Sequence, residues 1–382
     1  MKKKNKDKQQ DFLLGLIRPL VHIWMRLDAK RFVHRGNQID FKRDEPYIML
    51  ANHTFLFDVI HVPLKLKKVP FIVASQTLFK KHPTKFLVTQ VAHVIPKSKG
   101  SSDSTTVREL IGAIKRGYPI LIFPEGDTTF YGQTGYIEES TMKLIKKLNV
   151  DVITVNVQGG YLSKPRWATG KRKNRQIHLN YELTIPKDHI KDMSVYQINE
   201  KIIKALAHND YEWQRKKMIP HPGQKLAEGI ENVVYVCPFC ESINTIESHG
   251  NKIKCNHCLK EGSMDSYGFI KDFKFDNLID WNQYQIKFSD KLRETNLKAT
   301  GFLNYMSIVD DLLEPIGRVE IEYKNYKFIF TGALSIEIPI DQITNATMTL
   351  RRDFGFVYEN KHYLIKLDQS GAALLRIVQD KY

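Results

Sequence analysis

The sequence has 382 residues, of which 42% are hydrophobic and 26% are charged. This length allows two or three domains with at least one full-sized core, and this composition is that of a globular protein. The net charge of +16 indicates an anionic partner, which can be a nucleic acid, an anionic membrane or a phosphorylated substrate. All four cysteines lie between residues 237 and 258, which excludes a disulfide framework spread over the chain and favours metal ligation in a reducing compartment.

Residues 1–35 predict a basic amphipathic helix that associates with membranes. A lysine-rich leader precedes an apolar helical pattern over residues 11–33, which Pro19 can bend. The apolar side chains recur at spacings of three and four: Leu13, Leu16, Ile17, Leu20, Ile23, Trp24 and Leu27. The helix either packs on the domain or lies in the membrane interface, where anionic lipid attracts its leader, and both can hold together.

The N-terminus shows no pattern of a secretory signal peptide, because Arg18, Pro19 and His22 interrupt its apolar stretch. Nor does any apolar run reach the roughly 18–20 residues that a membrane-spanning helix needs. We therefore expect a peripheral, monotopic protein at the cytoplasmic face of a membrane.

Residues 36–222 predict an α/β domain with a mostly parallel sheet, because strand-like and helical patterns alternate. Strand-like apolar runs lie at 47–51, 70–74, 91–95, 119–123, 152–157 and 176–185. Helical patterns lie at 57–66, 77–89, 104–116, 139–148 and 194–217. Residues 221–223, with the sequence His-Pro-Gly, mark the end of this domain.

The first group of chemically active residues follows the apolar run 47–51. Asn52 and His53 come directly after it, and Asp58 lies five positions beyond His53. If a helix opens after the turn, the carboxylate can accept a hydrogen bond from one imidazole nitrogen and leave the other free to take a proton. Such a pair can be a general base with its orienting group. The commoner alternative is a buried histidine whose hydrogen-bonding capacity is satisfied by a nearby acid.

The second group follows the apolar run 119–123, which ends in Pro124 and Glu125, then Gly126, Asp127, Thr128 and Thr129. A carboxylate, a glycine and hydroxyls at the carboxyl end of a strand lie where open α/β sheets bind their ligands. We therefore expect both strand ends to line one cleft.

Together these motifs resemble those of glycerolipid acyltransferases of the lysophosphatidic acid (1-acylglycerol-3-phosphate) acyltransferase type. The resemblance covers residues 10–220 and implies acyl transfer from acyl-CoA or acyl carrier protein to a lysolipid hydroxyl. It implies that His53 is the base and that Asp58 orients it. It also implies that Glu125 and Gly126, with Thr128, position the acceptor or order the cleft.

Two departures from the family pattern leave the acceptor open. The family usually has an arginine after the glycine, where this chain has Asp127-Thr128-Thr129. A second family arginine, which grips phosphate, is replaced by Lys97, a point charge; the alternative for Lys97 is a solvated basic loop. The acceptor can be 1-acylglycerol-3-phosphate, another lysophospholipid or a glycolipid. The competing function is a non-catalytic lipid- or nucleic-acid-binding adaptor with a degenerate acyltransferase-like domain.

Residues 223–262 predict a zinc ribbon. The cysteines form two pairs, and in each pair two residues lie between the cysteines. Fourteen residues separate the first pair from the second. The four residues are Cys237, Cys240, Cys255 and Cys258. Four thiolates form a closed tetrahedral site for a structural zinc ion, with no position left for substrate. Many zinc ribbons bind nucleic acid, but this one has no evident aromatic and basic stacking surface. Because the lysine-rich leader adjoins an apolar helix, which a nucleic-acid binder would not need, a membrane surface is the favoured anionic partner and nucleic acid is disfavoured.

Residues 263–292 are expected to form a helical linker, and residues 293–382 a small β-rich domain that ends in a helix. Alternating apolar and polar residues indicate antiparallel strands, and the last helix is predicted from Ala372 to Gln379. At the level of fold, this segment faintly resembles pleckstrin-homology or GRAM-like modules. The alternatives are contact with anionic headgroups or a plain accessory domain with solvated charges; the candidate cations are Lys324, Lys327, Arg351 and Arg352.

Overall fold

The computed structural model describes residues 2–75, 87–97, 104–306, 313–349 and 351–379. The chain forms two compact units. The N-terminal unit comprises Met1–Lys164 and Asn174–Met218, and the C-terminal unit comprises Pro165–Lys173 and Ile219–Tyr382. The two predicted groups of chemically active residues, after the apolar runs 47–51 and 119–123, therefore lie in the N-terminal unit. The four cysteines lie in the C-terminal unit.

The N-terminal unit is built on a seven-stranded sheet with the order β1-β7-β6-β2-β5-β3-β4. Its strands are β1 Lys30–Arg35, β2 Ile48–Ala51, β3 Phe71–Ser75, β4 Val94–Lys97, β5 Ile120–Ile122, β6 Val152–Gln158 and β7 Gln176–Ile185. Only β6 and β7 pair antiparallel among these described strands. The prediction of an α/β layer with a mostly parallel sheet is confirmed.

The helices of this unit fill the connections between strands. They are α1 Lys2–Asp28, α2 Asp58–His61, α3 Ser104–Lys115, α4 Glu139–Leu148, α5 Gly160–Ser163, α6 Lys187–Ile190, α7 Val195–Leu206 and α8 Asp210–Lys217, with a 3-10 helix Pro63–Lys65 and a π-helix Leu87–Val91. Helices α3 and α4 match their predicted positions closely. Most of the predicted helix 77–89 lies outside the described residues, and the strand predicted at 91–95 begins only at Val94.

Strand β2 is the centre of the unit, and both of its faces are buried. Ile48 and Leu50 lie in one apolar cluster with residues of α3, α4 and α7. Met49 and Ala51 lie in a second cluster on the opposite face. Because side chains alternate along a strand, this four-residue segment carries two cores at once. Leu50 is in register with both Ile122 of β5 and Thr154 of β6, so the loops after these strands emerge at the same edge.

Two helix predictions in this unit were wrong in their bounds. The helix predicted over residues 11–33 ends at Asp28, and the residues from Lys30 onward form β1, parallel to β7. The apolar stripe ends at Leu27, and sheet pairing then determines the structure. The helix predicted over 194–217 is two helices, because the Asn209 side chain accepts from the amides of Tyr211 and Glu212 and starts α8.

The C-terminal unit contains two antiparallel sheets. The first has the order β11-β10-β9-β8, and the second has the order β15-β14-β13-β12-β18-β17-β16. The strands of the first are β8 Ile246–His249, β9 Lys252–Cys255, β10 Glu261–Met264 and β11 Ile270–Lys271. Those of the second are β12 Leu297–Met306, β13 Leu313–Lys324, β14 Lys327–Gly332, β15 Ile336–Pro339, β16 Thr344–Thr349, β17 Asp353–Tyr358 and β18 Lys361–Leu367.

Helices α9 Leu278–Ile286 and α10 Ser289–Glu294 connect the two sheets of this unit, and α11 Ala372–Gln379 ends the described chain. Short 3-10 helices lie at Ile230–Asn232 and Ile340–Gln342. The predicted antiparallel strands and the predicted terminal helix are both present. In the part of the chain that the structure describes, no helix has the length and apolarity needed to cross a membrane.

Candidate active site

Asn52 fixes the loop that follows β2. Its side-chain amide donates to the Val157 carbonyl at 2.9 Å, and its carbonyl oxygen accepts from the Val157 amide at 2.6 Å. With these two hydrogen bonds, the Asn52 side chain pairs with the backbone of β6 as the backbone of a neighbouring strand would. The next residue, His53, therefore leaves the sheet in a fixed direction.

His53 and Asp58 form the pair that their spacing predicts. The His53 Nδ1 lies 3.2 Å from Asp58 Oδ2. The His53 side chain is 14% exposed, whereas the Asp58 side chain is fully buried. Because Nδ1 faces the carboxylate, Nε2 is the nitrogen left to accept a proton.

The local backbone explains why Asp58 can hold this position. Asp58 is the first residue of α2, and its Oδ2 accepts from the amides of Thr54 at 2.6 Å and Phe55 at 2.9 Å. The Thr54 hydroxyl donates to the same oxygen at 3.1 Å. The turn between His53 and Asp58 is thus wrapped around the carboxylate, which is oriented before any substrate arrives.

The ring of His53 is held from a second direction by β5. Phe123 follows that strand, and its ring centroid lies 4.4 Å from that of His53. The His53 carbonyl accepts from the amide of Thr129 at 2.9 Å. The loops after β2 and β5 are therefore joined through His53 itself.

Glu125 completes this junction. Its Oε1 accepts from the His53 amide at 2.7 Å and its Oε2 accepts from the Gly135 amide at 2.6 Å. Burial raises the pKa of Glu125, and the two amide donors only partly offset this effect. In this geometry Glu125 braces the loop that carries the histidine.

Gly126 occupies a backbone position that favours glycine. Its φ is +75°, in the left-handed region, and its amide donates to the Phe123 carbonyl at 3.1 Å. Space is open around a Cβ at this position, so the requirement is conformational and not steric. This tight turn directs Glu125 back towards His53.

His53 and Glu125 line a narrow cleft with about 160 Å³ of empty space. The lining residues come from three segments of the N-terminal unit: Asn52, His53, Thr54, Glu125, Thr129, Gly132, Gln133, Thr134 and His208. Polar groups at the carboxyl ends of two neighbouring strands thus meet in one place, as expected for an open α/β sheet.

Comparison with known proteins agrees with this geometry. Residues 32–158 match the family model described as Acyltransferase. That segment contains β2, β5 and both loops of the cleft. The N-terminal unit is an acyltransferase-like α/β domain.

A solved structure is also similar to this chain. It is the crystal structure of the 1-acyl-sn-glycerophosphate (LPA) acyltransferase PlsC from Thermotoga maritima, with a TM-score of 0.43 and 18% sequence identity. The similarity covers 55% of this chain and 82% of that protein. No curated protein matches the sequence.

Within the acyltransferase-like domain, the predicted site residues fall into two groups. His53, Asp58 and Glu125 are brought together by hydrogen bonds. Gly126 and Thr128 belong to the same loop but do not line the cleft. Lys97 is the last residue of β4, and its side chain lies outside the described residues.

Sequence reasoning missed one member of the cleft, His208. It lies in the break between α7 and α8, which the sequence analysis placed inside a continuous helix. The available signal was Asn209, a favoured helix N-cap residue followed by acidic Asp210. A helix start at that point would have placed His208 in a loop.

The C-terminal unit contains the second candidate site, the four cysteines. Their sulfur atoms all lie within 4.8 Å of one another, and the pairs Cys237–Cys258 and Cys240–Cys255 are each 3.8 Å apart. A tetrahedral zinc ion bonded to sulfur at about 2.3 Å sets sulfur–sulfur distances of about 3.8 Å. The four thiols therefore have the spacing of a zinc site.

The thiols of this cluster differ in acidity, and burial raises the pKa of Cys237 to about 12. Burial disfavours the Cys255 thiolate, but hydrogen bonds from the Cys258 amide and the Thr245 hydroxyl outweigh it and lower the pKa of Cys255 to about 5. The Thr245 oxygen is 3.3 Å from the Cys255 sulfur. Because metals bind thiolates, these donors support a metal-binding cluster.

Proposed function

We propose that the acyltransferase-like domain moves a fatty acyl group from acyl-CoA or acyl carrier protein to a lysolipid hydroxyl, in phospholipid synthesis. The acceptor is 1-acylglycerol-3-phosphate or a related lysolipid. The observation that carries this proposal is the His53–Asp58 pair at the mouth of a cleft, with Nε2 of the imidazole left to accept a proton.

The geometry supports general base catalysis without a serine or cysteine nucleophile. His53 Nε2 takes the proton of the acceptor hydroxyl while its oxygen bonds to the thioester carbonyl carbon. The carbon–sulfur bond then breaks and the thiolate leaves. Asp58 stabilises the imidazolium that forms. A positioned base contributes about 10²–10⁴-fold, and the joint orientation of both substrates contributes further.

Lys97 and Thr128 remain the predicted contacts of the acceptor. Glu125 has a different part in this proposal, because both of its oxygens already accept from backbone amides. It orders the cleft, and Gly126 provides the turn that allows it.

The test is acyl transfer by the full chain with labelled acyl-CoA or acyl carrier protein and a panel of lysolipids. We expect His53→Ala to lower the rate by at least about 10²-fold. The matched control is His189→Ala, which removes an exposed histidine of α6 and should retain the rate. Unchanged turnover in the His53 variant would refute the mechanism. Absence of acylated product with every donor and acceptor would favour the non-catalytic adaptor.

We also propose that α1 attaches the protein peripherally to the cytoplasmic face of an anionic membrane. The helix exposes six large apolar side chains, which are Phe12, Leu16, Leu20, Ile23, Trp24 and Leu27, each at least 49% exposed. Its buried residues are Asp7, Gln10 and Met25. An exposed apolar stripe next to a lysine-rich leader suits the interface of an anionic bilayer.

Vesicle flotation tests this proposal with the full chain. The combined change Leu16→Asn, Leu20→Asn and Ile23→Asn should weaken binding to vesicles that contain anionic lipid by at least tenfold, since each apolar side chain moved out of water contributes about 1.5–3 kcal/mol. The control changes, Tyr196→Asn and Ile203→Asn, remove exposed apolar residues of α7. Equal binding by both variants would contradict a membrane role of α1.

For the C-terminal unit, we propose a zinc ribbon around Cys237, Cys240, Cys255 and Cys258, followed by a pleckstrin-homology-like module. The sulfur spacing supports the first proposal, and seven antiparallel strands followed by α11 support the second. Elemental analysis should find about one zinc ion per chain; protein purified without chelators and free of zinc would contradict the ribbon.

A headgroup-binding role of this module has weaker support than a stabilising role. Lys327 pairs with Glu337 at 3.1 Å, and Arg352 donates to the Asp368 carbonyl at 2.6 Å. Two of the four predicted cations are therefore engaged within the module. In the flotation assay, Lys324→Ala with Arg351→Ala should leave vesicle binding unchanged; a clear loss would favour headgroup contact.

A further inference from the structure

A second histidine–carboxylate pair adjoins the cleft. His208 is a lining residue, and its Nε2 lies 2.5 Å from Asp210 Oδ1. The His208 side chain is 7% exposed and the Asp210 side chain is fully buried. This arrangement repeats the His53–Asp58 pair with the two ring nitrogens exchanged, because here Nε2 faces the carboxylate.

Asp210 is held as firmly as Asp58. Its Oδ1 accepts from the Gly159 amide at 2.7 Å and its Oδ2 from the Leu162 amide at 3.0 Å. These donors lie just after β6, in the residues that lead into and form α5. Asp210 thus ties the imidazole of His208 to the rigid sheet.

The backbone of His208 is fixed to another wall of the cleft. Its amide donates to the Thr134 hydroxyl at 3.0 Å, and its carbonyl accepts from the Thr134 amide at 3.0 Å. The Thr134 hydroxyl in turn donates to the Leu206 carbonyl at 2.8 Å. Both His208 and Thr134 line the cleft, so the imidazole is oriented without help from a substrate.

The two imidazoles line the same cleft. His53 lies on one wall, directly after β2, and His208 lies on another, in the break between α7 and α8. A substrate that reaches His53 therefore also passes His208. Two oriented histidines in one such site can serve the two proton transfers of an acyl transfer.

We propose that His208 is the general acid that protonates the departing thiolate, an assignment that rests on the proposed acyltransferase function. The hydroxyl loses its proton to His53 as its oxygen bonds to the carbonyl carbon. The carbon–sulfur bond breaks, its electron pair stays on sulfur, and the sulfur takes a proton from Nδ1 of the His208 imidazolium. Exchange with solvent then returns a proton to His208 and removes one from His53, so the step balances.

The chemistry of the leaving group makes this transfer favourable. An unperturbed thiol has a pKa of about 8.5 and an unperturbed imidazolium a pKa of about 6.5. Between unperturbed groups, proton transfer from an imidazolium to a thiolate is therefore downhill. The carboxylate of Asp210 faces Nε2, which leaves Nδ1 as the nitrogen that transfers the proton.

A series of donors with different leaving thiols tests the assignment in the full chain. The two donors are acyl-CoA and the same acyl group on an aryl thiol of low pKa, whose thiolate leaves without a proton. We expect His208→Gln to lower the rate with acyl-CoA by about 10²-fold. With the aryl thioester, the rate of this variant should stay within about threefold of the wild-type rate. His53→Gln should be slow with both donors, because the hydroxyl proton must be removed in each case.

A structural role of His208 predicts a different result, namely equal losses with both donors, which would overturn the assignment. If the His208 variant does not fold, the wild-type chain decides: general acid catalysis makes its rate nearly independent of thiol pKa, whereas a steep dependence overturns the assignment. These outcomes leave the proposed function intact. A wild-type chain that acylates no lysolipid with either donor would overturn both.

Discussion

Asp58 shows how a single buried residue can determine the chemistry of another. It accepts from the amides of Thr54 and Phe55 as well as from the His53 ring. Because donors surround the Asp58 side chain, only a hydrogen-bond acceptor fits this site. An acceptor opposite Nδ1 keeps the imidazole proton on Nδ1 and leaves the lone pair of Nε2 free. The tautomer of the base is thus determined by backbone geometry.

Replacement of Asp58 by asparagine should therefore lower kcat more than it changes the fold. The asparagine amide can donate to Nδ1 and favour the wrong tautomer, so we expect a loss of about 10²–10⁴-fold in kcat. Steady-state rates with saturating donor measure it, and circular dichroism checks the fold. Asp188→Asn, at an exposed position of α6, is the control. A normal kcat in the Asp58 variant would exclude an orienting role.

Glu125 should make the N-terminal unit less stable as the pH rises. Burial raises its pKa in the folded chain, so its contribution to stability is present below the unfolded pKa of about 4.3 and is lost as the pH rises through the folded pKa. The variant Glu125→Gln lacks this titration. In urea unfolding, the wild type should lose stability relative to that variant as the pH rises above about 4.

The matched control for this titration is Glu200→Gln, at an exposed position of α7, whose stability difference from the wild type should not change with pH. The direction of the pKa shift of Glu125 would be contradicted by two results. In one, the difference in free energy of unfolding between the Glu125 variant and the wild type does not change with pH. In the other, the wild type becomes the more stable of the two as the pH rises.

At the residue scale, the sequence predicts those cleft residues that belong to local motifs. The spacing of His53 and Asp58 and the strand before Glu125 are local features, and they were sufficient to predict the cleft. His208 is far from them in sequence and reaches the cleft only because α7 ends at Leu206 and the chain turns back. The N-cap residue Asn209 marks the break between the two helices, but no local pattern predicts that the break lies at the cleft.

At the scale of elements, α1 is attached to the unit partly through polar side chains. Arg18 donates to the carbonyls of Leu64 at 2.8 Å and Leu66 at 2.5 Å, and Gln10 donates to that of Ala92 at 2.9 Å. Asp28, at the end of the helix, accepts from Arg175 at 2.8 Å. The helix is thus attached by hydrogen bonds and ion pairs while much of its apolar stripe stays exposed.

The periodicity of α1 predicted an amphipathic helix but could not tell which side packs. A stripe of leucine and isoleucine is expected to face a core. Here Arg18 donates to the backbone carbonyls of Leu64 and Leu66, in and directly after the 3-10 helix Pro63–Lys65. These contacts depend on the tertiary structure, which the helix sequence alone does not predict.

Removal of this cation should loosen α1. In Arg18→Met the side chain keeps its length and loses its donors, so buried carbonyls lose hydrogen bonds to a charged group, each worth about 1.5–3 kcal/mol. We expect amides of α1 to exchange hydrogen at least tenfold faster than in the wild type. Arg26→Met, an exposed change in the same helix, should not alter exchange. Equal protection in both variants would show that Arg18 does not anchor the helix.

At the scale of the whole molecule, the sequence indicated the α/β layer, the cysteine cluster and the terminal β-rich segment correctly. These features depend on patterns that repeat within each segment: alternating strands and helices, paired cysteines, and period-two apolar residues. The order of strands in each sheet was beyond reach. It depends on pairings such as that of β12 with β18, whose residues are about sixty positions apart in sequence.

Metal removal should affect the two units differently. The N-terminal unit has two buried apolar clusters on either side of β2. The first sheet of the C-terminal unit has short strands and depends on turns at the cysteines, where the Cys237 amide donates to Ser242 and the Cys255 amide to Lys260. Without a metal, the four sulfur atoms, which lie within 4.8 Å of one another, lose the bonds that would join them, so those turns should open.

Hydrogen exchange followed by mass spectrometry, on the full chain with and without a zinc chelator, measures this effect. Peptides that cover residues 237–258 should exchange at least tenfold faster once the metal is removed, because its binding free energy is part of the folding free energy. Peptides that cover β2 and β6 should keep their protection and serve as the internal control. Faster exchange throughout the chain would mean that the two units do not unfold separately. Unchanged exchange at the cysteines would mean that no metal stabilises these turns.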